Sequence, residues 1–304
     1  MRSWKDRPGG RRGARHLTTG LIVTLAAAAA AWAVPAPSLA QPARPAIARA
    51  PGVTALGGAL EGFYSRDLMW SDGLNVRRPI ASITKVMTAL VVLRAGNLGR
   101  KITVTPSAVG YARRNDASNA GLVAGDVLTA QQLLEGLLLP SGADAAYLLA
   151  SAYGPGGTAF IARMNATAAS LGMKSTHFAS FDGLPIPTET STYATPADLI
   201  RLGQAAMRIP LFRQIVAQSS YLLPAGNGHR RYRWIQTNKL IGSYRGAIGI
   251  KTGYTHGAGT CLLFEASRGG RTLIGVVLHA SQADTPVAAE TAAERLLNWA
   301  FAQS

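Results

Sequence analysis

Residues 79–89 read PIASITKVMTA, and this stretch organises the prediction of the fold. From Ile80 to Arg94 the apolar residues recur with helical spacing, and Gly96 is suited to end the helix. Residues three apart share a helix face, so Lys85 is expected one turn above Ser82. Because the start of a helix has free N–H groups and a positive dipole end, Ser82 is expected where a developing negative charge would be stabilised.

The spacing of Ser82 and Lys85 is compatible with nucleophilic catalysis. A serine hydroxyl attacks poorly until a base takes its proton. Lysine can be that base only where burial or nearby cations populate its neutral form. Ser-x-x-Lys also arises by chance roughly once in a chain of this length. Read alone, the motif is equally compatible with a capping serine and a surface lysine.

Two further motifs follow along the chain. Lys251-Thr252-Gly253 falls in a predicted strand, where a lysine beside a hydroxyl can bind a carboxylate and a glycine keeps the strand edge open to a peptide. Ser141-Gly142-Ala143-Asp144 follows an apolar run, and Ser141 could relay a proton to a leaving amine. Taken alone, the first is also compatible with a turn at a strand end and the second with an ordinary helix start.

The remaining chain predicts strands at both ends and helices between them. Apolar periodicity predicts helices at 129–139, 144–152, 158–171, 196–207 and 287–302, with Thr129 as an N-cap. Strands are predicted at 54–64, 67–71, 246–254, 259–267 and 271–279, the last two joined by Arg268-Gly269-Gly270. This order predicts an α/β (α+β) fold with a helical subdomain.

The first 40 residues have the features of an export signal. Six basic residues precede an apolar run from about Leu21 to Val34, and Ser38-Leu39-Ala40 offers small residues for cleavage before Gln41. The run is short for a membrane-spanning helix, which favours cleavage over an uncleaved anchor. Residues 41–53, rich in Ala, Pro and Arg, are expected to form a flexible leader.

The net charge of +16 stays strongly positive without the predicted signal. A basic surface attracts anionic polymers, and for an exported protein a cell wall or a membrane surface is a better match than nucleic acid. The densest basic cluster, Arg230, Arg231 and Arg233, favours a solvated loop or an edge strand over a binding patch.

Cysteine and histidine provide no evidence for a disulfide or a metal. Cys261 is the only cysteine and lies in an apolar run, which predicts a packed thiol in a buried strand. The five histidines lack the spacing of metal ligands. We therefore expect neither a metal nor another cofactor.

The order of the three motifs resembles the penicillin-binding and serine β-lactamase superfamily, in which S-x-x-K, S-x-N and K-T-G follow one another. Ser141 lies 59 residues after Ser82, and Lys251 lies 110 residues after Ser141. These separations are similar to those of the D-alanyl-D-alanine carboxypeptidase family. The resemblance spans about Ala55 to Ala302. It includes the segments 79–89, 138–146, 164–165, 171–173, 182–184 and 249–255.

The resemblance implies a sheet of five antiparallel strands flanked by helices, with an inserted helical subdomain and the active site between them. It implies that Ser82 attacks the penultimate D-alanine of a cell-wall peptide and forms an acyl-enzyme. Lys85 then accepts the proton, and Ser141 passes it to the departing D-alanine. The N–H groups of Ser82 and Tyr254 form the oxyanion hole.

The resemblance also assigns a substrate-binding side and the partners. Lys251 and Thr252 are expected to hold the terminal carboxylate, and Gly253 and Tyr254 are expected to bind the substrate beside them. The implied partners are peptidoglycan stem peptides ending in D-Ala-D-Ala and, as covalent inhibitors, β-lactam antibiotics. Ala143 occupies a position that is usually Asn in the family and is expected to line the site through its backbone, so the loss of an amide there is expected to affect turnover or substrate preference.

The expected organisation is one catalytic domain at 54–304, with no C-terminal β-domain or anchor. Three alternatives stay open on the same scaffold: a D,D-transpeptidase, a β-lactamase and a non-catalytic wall-binding homologue. A class A β-lactamase would need a glutamate in an E-x-x-L-N segment, which the stretch from Glu189 to Tyr193 does not match.

Overall fold

A computed structural model of the chain describes residues 52–303. Its helices are α1 (Thr84–Ala95), α2 (Pro106–Arg114), α3 (Ala130–Leu138), α4 (Ala143–Tyr153), α5 (Gly157–Ser170), α6 (Pro196–Met207), α7 (Pro210–Val216), α8 (Leu240–Ser243) and α9 (Val287–Phe301). Its strands are β1 (Gly57–Gly62), β2 (Leu68–Asp72), β3 (Arg78–Pro79), β4 (Lys101–Thr103), β5 (Val127–Thr129), β6 (Tyr193–Ala194), β7 (Ser220–Leu223), β8 (Tyr232–Ile235), β9 (Ala247–Thr255), β10 (Gly259–Arg268) and β11 (Arg271–Leu278).

The main sheet has five strands in the order β2-β1-β11-β10-β9, and every neighbouring pair is antiparallel. Arg268 pairs with Arg271, so Gly269 and Gly270 alone turn the chain between β10 and β11. Both glycines have positive φ, 56° and 76°, as a two-residue turn that follows the twist of its strands requires. The predicted five-stranded antiparallel sheet is confirmed.

Both faces of the central strands are covered, so β10 is apolar almost throughout. Leu262 and Phe264 point to α9 and pack with Leu296 and Leu297 in one cluster of buried side chains. Leu263, on the other face, belongs to the cluster formed with the helical layer. The predicted arrangement of a sheet flanked by helices with a helical subdomain follows from this two-sided burial.

Hydroxyl caps start several helices of this layer. The Oγ1 of Thr129 accepts the Gln132 N–H at 3.2 Å, and the Gln132 side chain accepts the Thr129 N–H at 2.7 Å, which forms a capping box at α3. Thr195 caps α6 in the same way with Pro196 at the first helical position. The prediction of Thr129 as an N-cap is confirmed.

The first helix starts later than its apolar spacing predicted. The chain from Ala81 to Ile83 forms a 3₁₀ turn, and α1 begins at Thr84. Ala81 has a φ of 45°, outside the range of an α-helix, so regular helix cannot extend back to Ile80. The periodicity predicted one buried face, whereas every residue from Thr84 to Val92 is buried, and it could not detect this change of backbone conformation.

Other elements were not predicted, namely α2, α7 and three two-stranded sheets. One of these sheets pairs β7 with β8, which contains Arg233 of the arginine cluster, while Arg230 and Arg231 lie in the loop just before it. Tyr232 and Trp234 are buried there, whereas Arg231 and Arg233 are exposed. The alternation is that of a strand with one solvated face, so the cluster lies partly in a solvated loop and partly in an edge strand, as predicted.

Cys261 lies in β10 and is 1% exposed, so the prediction of a packed thiol is confirmed. Burial raises the pKa of this thiol to about 12. The predicted signal at 1–40 and most of the leader at 41–53 lie outside the described residues. Within 52–303, the helices are too short or too polar to cross a membrane.

Candidate active site

Ser82 and Lys85 meet at the junction of the 3₁₀ turn and α1. The Lys85 Nζ donates to the Ser82 Oγ at 2.9 Å and to the carbonyl of Asp182 at 2.9 Å. The lysine is 3% exposed, and this burial lowers its pKa to about 8, although Asp182 and Asp144 counteract the shift. At pH 7 about a tenth of Lys85 is therefore neutral, far more than for an ordinary lysine, and this fraction can accept a proton.

The backbone before Ser82 is held in an unusual conformation by close packing. Ala81 has positive φ, which a residue with a Cβ adopts only at a cost of about 1–3 kcal/mol. A Cβ on Gly253 of β9 would lie 3.0 Å from the Ile80 carbonyl oxygen and 3.1 Å from the Ser82 nitrogen. The glycine of the third motif thus lets β9 approach the turn that carries Ser82.

Ser141 lies in the connection between α3 and α4. Its φ is 65°, it is 4% exposed, and its Oγ has no hydrogen-bond partner. Three residues on, Asp144 accepts the N–H groups of Ala120 at 2.8 Å and Leu122 at 3.1 Å. Asp144 therefore fixes the neighbouring loop to α4, while the Ser141 hydroxyl is unpaired among residues 52–303.

The third motif places a second buried lysine close to the first. The Lys251 side chain is fully buried, and its Nζ donates to the Thr252 carbonyl at 3.1 Å. Burial, followed by the charge of Lys85, lowers the pKa of Lys251 well below its usual value. The Thr252 hydroxyl pairs with the Thr237 hydroxyl at 2.7 Å.

One cavity of about 250 Å³ joins most of these side chains. Six residues singled out from the sequence line it: Ser82, Lys85, Ser141, Thr252, Gly253 and Tyr254. Lys251 and Ala143 lie behind the wall instead. Ala143 is buried as the first residue of α4, and its N–H donates to the Ser118 carbonyl at 2.8 Å.

Further residues on the wall carried no sequence signal for a site. They are Asp116, Ala117, Ser118, Leu184, Thr237, Thr255, Thr260, Asp284, Thr285 and Pro286, together with Gly183. Most belong to loops that connect helices and strands, and such loops show no periodicity. Only the family segments 182–184 and 249–255 pointed to any of them, namely Gly183, Leu184 and Thr255.

A family model described as D-alanyl-D-alanine carboxypeptidase matches residues 65–282. The chain belongs to this family. The match includes all three motifs and every strand of the main sheet except β1. The expected family and fold are thereby confirmed.

Curated relatives in the family extend over most of the chain. A D-alanyl-D-alanine carboxypeptidase of Streptomyces strain K15 is 38% identical over 96% of this chain and 98% of its own length. The enzyme DacB2 of Mycobacterium tuberculosis, with the same description, is 37% identical over 75% of this chain and 76% of its own.

Solved structures agree with this placement. The crystal structure of a Streptomyces K15 DD-transpeptidase superposes with a TM-score of 0.78 at 39% identity, covering 84% of this chain and 99% of that one. A D-alanyl-D-alanine carboxypeptidase from Mycobacterium tuberculosis gives a TM-score of 0.75 at 35% identity, covering 84% and 93%.

Within the family fold, Glu189 lies away from the cavity. Its Oε2 accepts the N–H of Gly257 in the turn between β9 and β10, at 3.1 Å. The carboxylate is thus engaged in a structural contact and does not line the cavity that contains Ser82. This position agrees with the mismatch to the glutamate segment of class A β-lactamases.

Proposed function

We propose that the chain is a serine-type D-Ala-D-Ala carboxypeptidase that removes the terminal D-alanine from peptidoglycan stem peptides. The observation that carries the proposal is the 2.9 Å hydrogen bond from the Lys85 Nζ to the Ser82 Oγ, at the wall of an open cavity. A nucleophile bonded to a base with a depressed pKa is the arrangement that acyl transfer requires. The family of the chain supports the same activity.

In the proposed acylation, the Ser82 Oγ attacks the carbonyl carbon of the penultimate D-alanine while Lys85 takes the hydroxyl proton. The N–H groups of Ser82 and Tyr254 stabilise the oxyanion that forms. The amide bond then breaks, and the proton reaches the leaving amine through the hydroxyl of Ser141. The free Ser141 Oγ on the wall of the cavity supports this relay.

The terminal carboxylate of the substrate is proposed to bind at the β9 side. Thr252 lines the cavity there, with its hydroxyl bonded to Thr237. Lys251 contributes positive charge from behind this wall. Gly253 keeps the strand close to Ser82, so the carboxylate and the scissile bond are held in fixed relation.

Water completes the proposed cycle by hydrolysing the acyl-enzyme. Ala143 offers no amide at the position that is usually Asn in the family. Because its side chain is buried in α4, we propose that the substrate meets the backbone nearby and not the Ala143 methyl group. Turnover is expected to be lower than with an asparagine, and Ala143→Asn tests this through the rate of D-alanine release.

Intact-mass analysis after incubation with benzylpenicillin tests the nucleophile. The wild type should gain the mass of one β-lactam, and Ser82→Ala should gain none. Ser107→Ala, which changes an exposed serine on α2, is the matched control and should be modified like the wild type. An adduct on Ser82→Ala, or none on the wild type, contradicts the assignment, whereas rapid loss of the adduct with bulk penicillin hydrolysis indicates a β-lactamase.

A D,D-transpeptidase is the second candidate, because one solved relative carries that description. It shares the acylation step and differs in whether an amine or water accepts the acyl group. A donor peptide ending in D-Ala-D-Ala, incubated with an amino-acid acceptor, separates the two. For a carboxypeptidase the hydrolysed product should exceed the transfer product at millimolar acceptor.

We also propose that the enzyme acts outside the cytoplasm, with residues 1–40 as a cleaved signal and 54–304 as the catalytic domain. The basic and apolar pattern at the N-terminus supports export, as does a wall-peptide substrate. The positive net charge favours contact with an anionic wall or membrane surface. Mass analysis of the secreted protein should place its N-terminus at Gln41.

A further inference from the structure

The segment 181–183 is bonded to the face of α1 that carries Lys85. The Thr88 Oγ1 donates to the carbonyl of Phe181, one turn along the helix from the bond between Lys85 and the Asp182 carbonyl. Both contacts are buried. The segment thus fixes the helix and the Lys85 amine at the same time.

The packing continues to the turn before Ser82. A Cβ on Gly183 would lie 1.9 Å from the Ala81 carbonyl oxygen and 2.9 Å from the Thr84 Oγ1. Gly183 also has a φ of 87°, which favours glycine. Residues 181–183 are therefore too close to the 3₁₀ turn Ala81–Ile83, which carries the nucleophile Ser82, to shift independently of it.

These contacts involve the backbone of the segment, so they do not explain why residue 182 carries a buried carboxylate. The residue is 1% exposed, and its Oδ1 accepts the Leu184 N–H at 3.1 Å. Its Oδ2 is buried and, among residues 52–303, has no partner at normal hydrogen-bond distance, while the Tyr111 hydroxyl interacts with this carboxylate from α2. A buried carboxylate oxygen left unpaired is costly to fold, and the protein could keep the backbone contacts of this residue without it.

Charged and titratable groups face Lys85 from four elements. Asp182 approaches from its loop and Asp144 from α4, and both carboxylates raise the pKa that burial lowers. Lys251 approaches from β9. Tyr111 on α2 stays neutral, because burial and the Asp182 carboxylate raise its pKa. Asp182 is the only one of the four whose backbone also binds the Lys85 amine among the residues described.

We propose that Asp182 is a positioning residue that acts through Lys85: its carbonyl aims the amine at Ser82, and its carboxylate sets how tightly that amine holds its proton. The proposal rests on the proposed function, in which neutral Lys85 is the base. Asp182→Asn keeps the carbonyl and the size of the side chain but removes the charge. Lys85 should then lose its proton at lower pH.

The pH dependence of the acylation rate with a β-lactam measures this effect. In the wild type the rate should rise with pH as Lys85 becomes neutral, and in Asp182→Asn the rise should move to lower pH by about 1 unit, the lower end of the effect of a nearby opposite charge. Asp126→Asn is the matched control. Asp126 is also a buried carboxylate, but it binds Arg230 at 3.0 Å and Tyr232, away from the cavity, so its removal should leave the pH of the rise unchanged.

The outcomes separate the positioning role from a purely structural one. If Asp182→Asn lowers the acylation rate at every pH, and the rate still rises at the same pH as in the wild type, the proposal is wrong. If the wild type forms no adduct on Ser82, the proposed function is wrong instead. The Lys85 pKa is then read directly by NMR with ¹³Cε-labelled lysine, using Lys85→Arg for assignment. A lower value in Asp182→Asn supports the proposal, and an unchanged value overturns it.

Discussion

The two buried lysines of the site, Lys85 on α1 and Lys251 on β9, have the same chemistry and opposite surroundings. Lys85 has two acceptors, the Ser82 hydroxyl and the Asp182 carbonyl, and two carboxylates oppose the loss of its charge. Among residues 52–303, Lys251 has one acceptor, the carbonyl of its neighbour Thr252, and the charge of Lys85 disfavours the charge of Lys251. Within this part of the chain, the charged form of Lys85 is therefore better stabilised than that of Lys251.

This difference in surroundings indicates a different role for each lysine. Lys85 has a pKa of about 8, so it exchanges a proton readily in the absence of substrate. Lys251 is disfavoured as a cation until an anion approaches it. A carboxylate bound at Thr252 would supply that anion, so we expect substrate binding to raise the pKa of Lys251.

The largest effect is expected from Lys85→Met. Removal of the base should reduce the acylation rate by about 10²- to 10⁴-fold, the usual contribution of general base catalysis. The change is measured by the second-order rate of β-lactam acylation at saturating pH. Lys101→Met, on an exposed position of β4, is the control and should react like the wild type.

Retention of the wild-type rate in Lys85→Met would contradict the assignment of the base. It would also remove the distinction between the two lysines, since neither would then act on the hydroxyl of Ser82. Circular dichroism establishes that the variant is folded before the rates are compared.

The next effect is expected from Lys251→Met and concerns binding. Because Lys251 does not line the cavity, it acts on the substrate carboxylate through its charge, and loss of that charge should lower kcat/KM by about 10-fold, which corresponds to about 1.4 kcal/mol. A substrate whose terminal carboxylate is replaced by an amide should react poorly with the wild type. The variant should lose this preference for the acid.

An equal loss on the acid and the amide would show that Lys251 does not sense the carboxylate. A loss confined to kcat would assign it to the chemical step. Either result would make the two lysines alike in role, contrary to their different environments.

Apolar pattern and motif spacing predicted the nucleophile segment and the strands of the main sheet, whereas the five-stranded arrangement and the roles of the site residues were expected from the family resemblance. The sequence did not predict the positive φ of Ala81 or the contact between Gly183 and the nucleophile turn. These features depend on packing between segments about a hundred residues apart. For the same reason it did not predict that Lys251 lies behind the cavity wall while Thr252 lines it.

A smaller effect is expected from Gly253→Ala, which tests how β9 is joined to the nucleophile turn. The added methyl group would meet backbone atoms of Ile80 and Ser82 at 3.0–3.1 Å. Overpacking of this kind costs about 1–3 kcal/mol. Urea unfolding should reveal the loss, and the acylation rate should fall with it, because the oxyanion site lies at this contact.

Gly99→Ala is the matched control, because Gly99 has open space around its Cβ and no positive φ. It should leave both stability and acylation near the wild-type values. If Gly253→Ala matches Gly99→Ala in both stability and acylation rate, the turn that carries Ser82 can move to accept the methyl group. The close approach of β9 is then not required for acylation.

The smallest effect concerns the pH dependence of folding, and it measures both lysines at once. In the folded state Lys85 has a pKa of about 8, below the value of about 10.4 of an exposed lysine. Between these pH values the unfolded chain binds more protons than the folded one, so the free energy of unfolding should increase as the pH rises. The slope from one such group is at most about 1.4 kcal/mol per pH unit.

Urea unfolding of Lys85→Met and Lys251→Met across this window measures the contribution of each lysine. Each variant should have a shallower slope than the wild type, while Lys101→Met should keep the wild-type slope. Removal of Lys85 has a second consequence, because its charge is one cause of the lowered pKa of Lys251. In the double variant Lys85→Met/Lys251→Met, the decrease in the pH slope of the unfolding free energy should therefore differ from the sum of the decreases in the two single variants. Strict additivity would mean that the two amines do not interact.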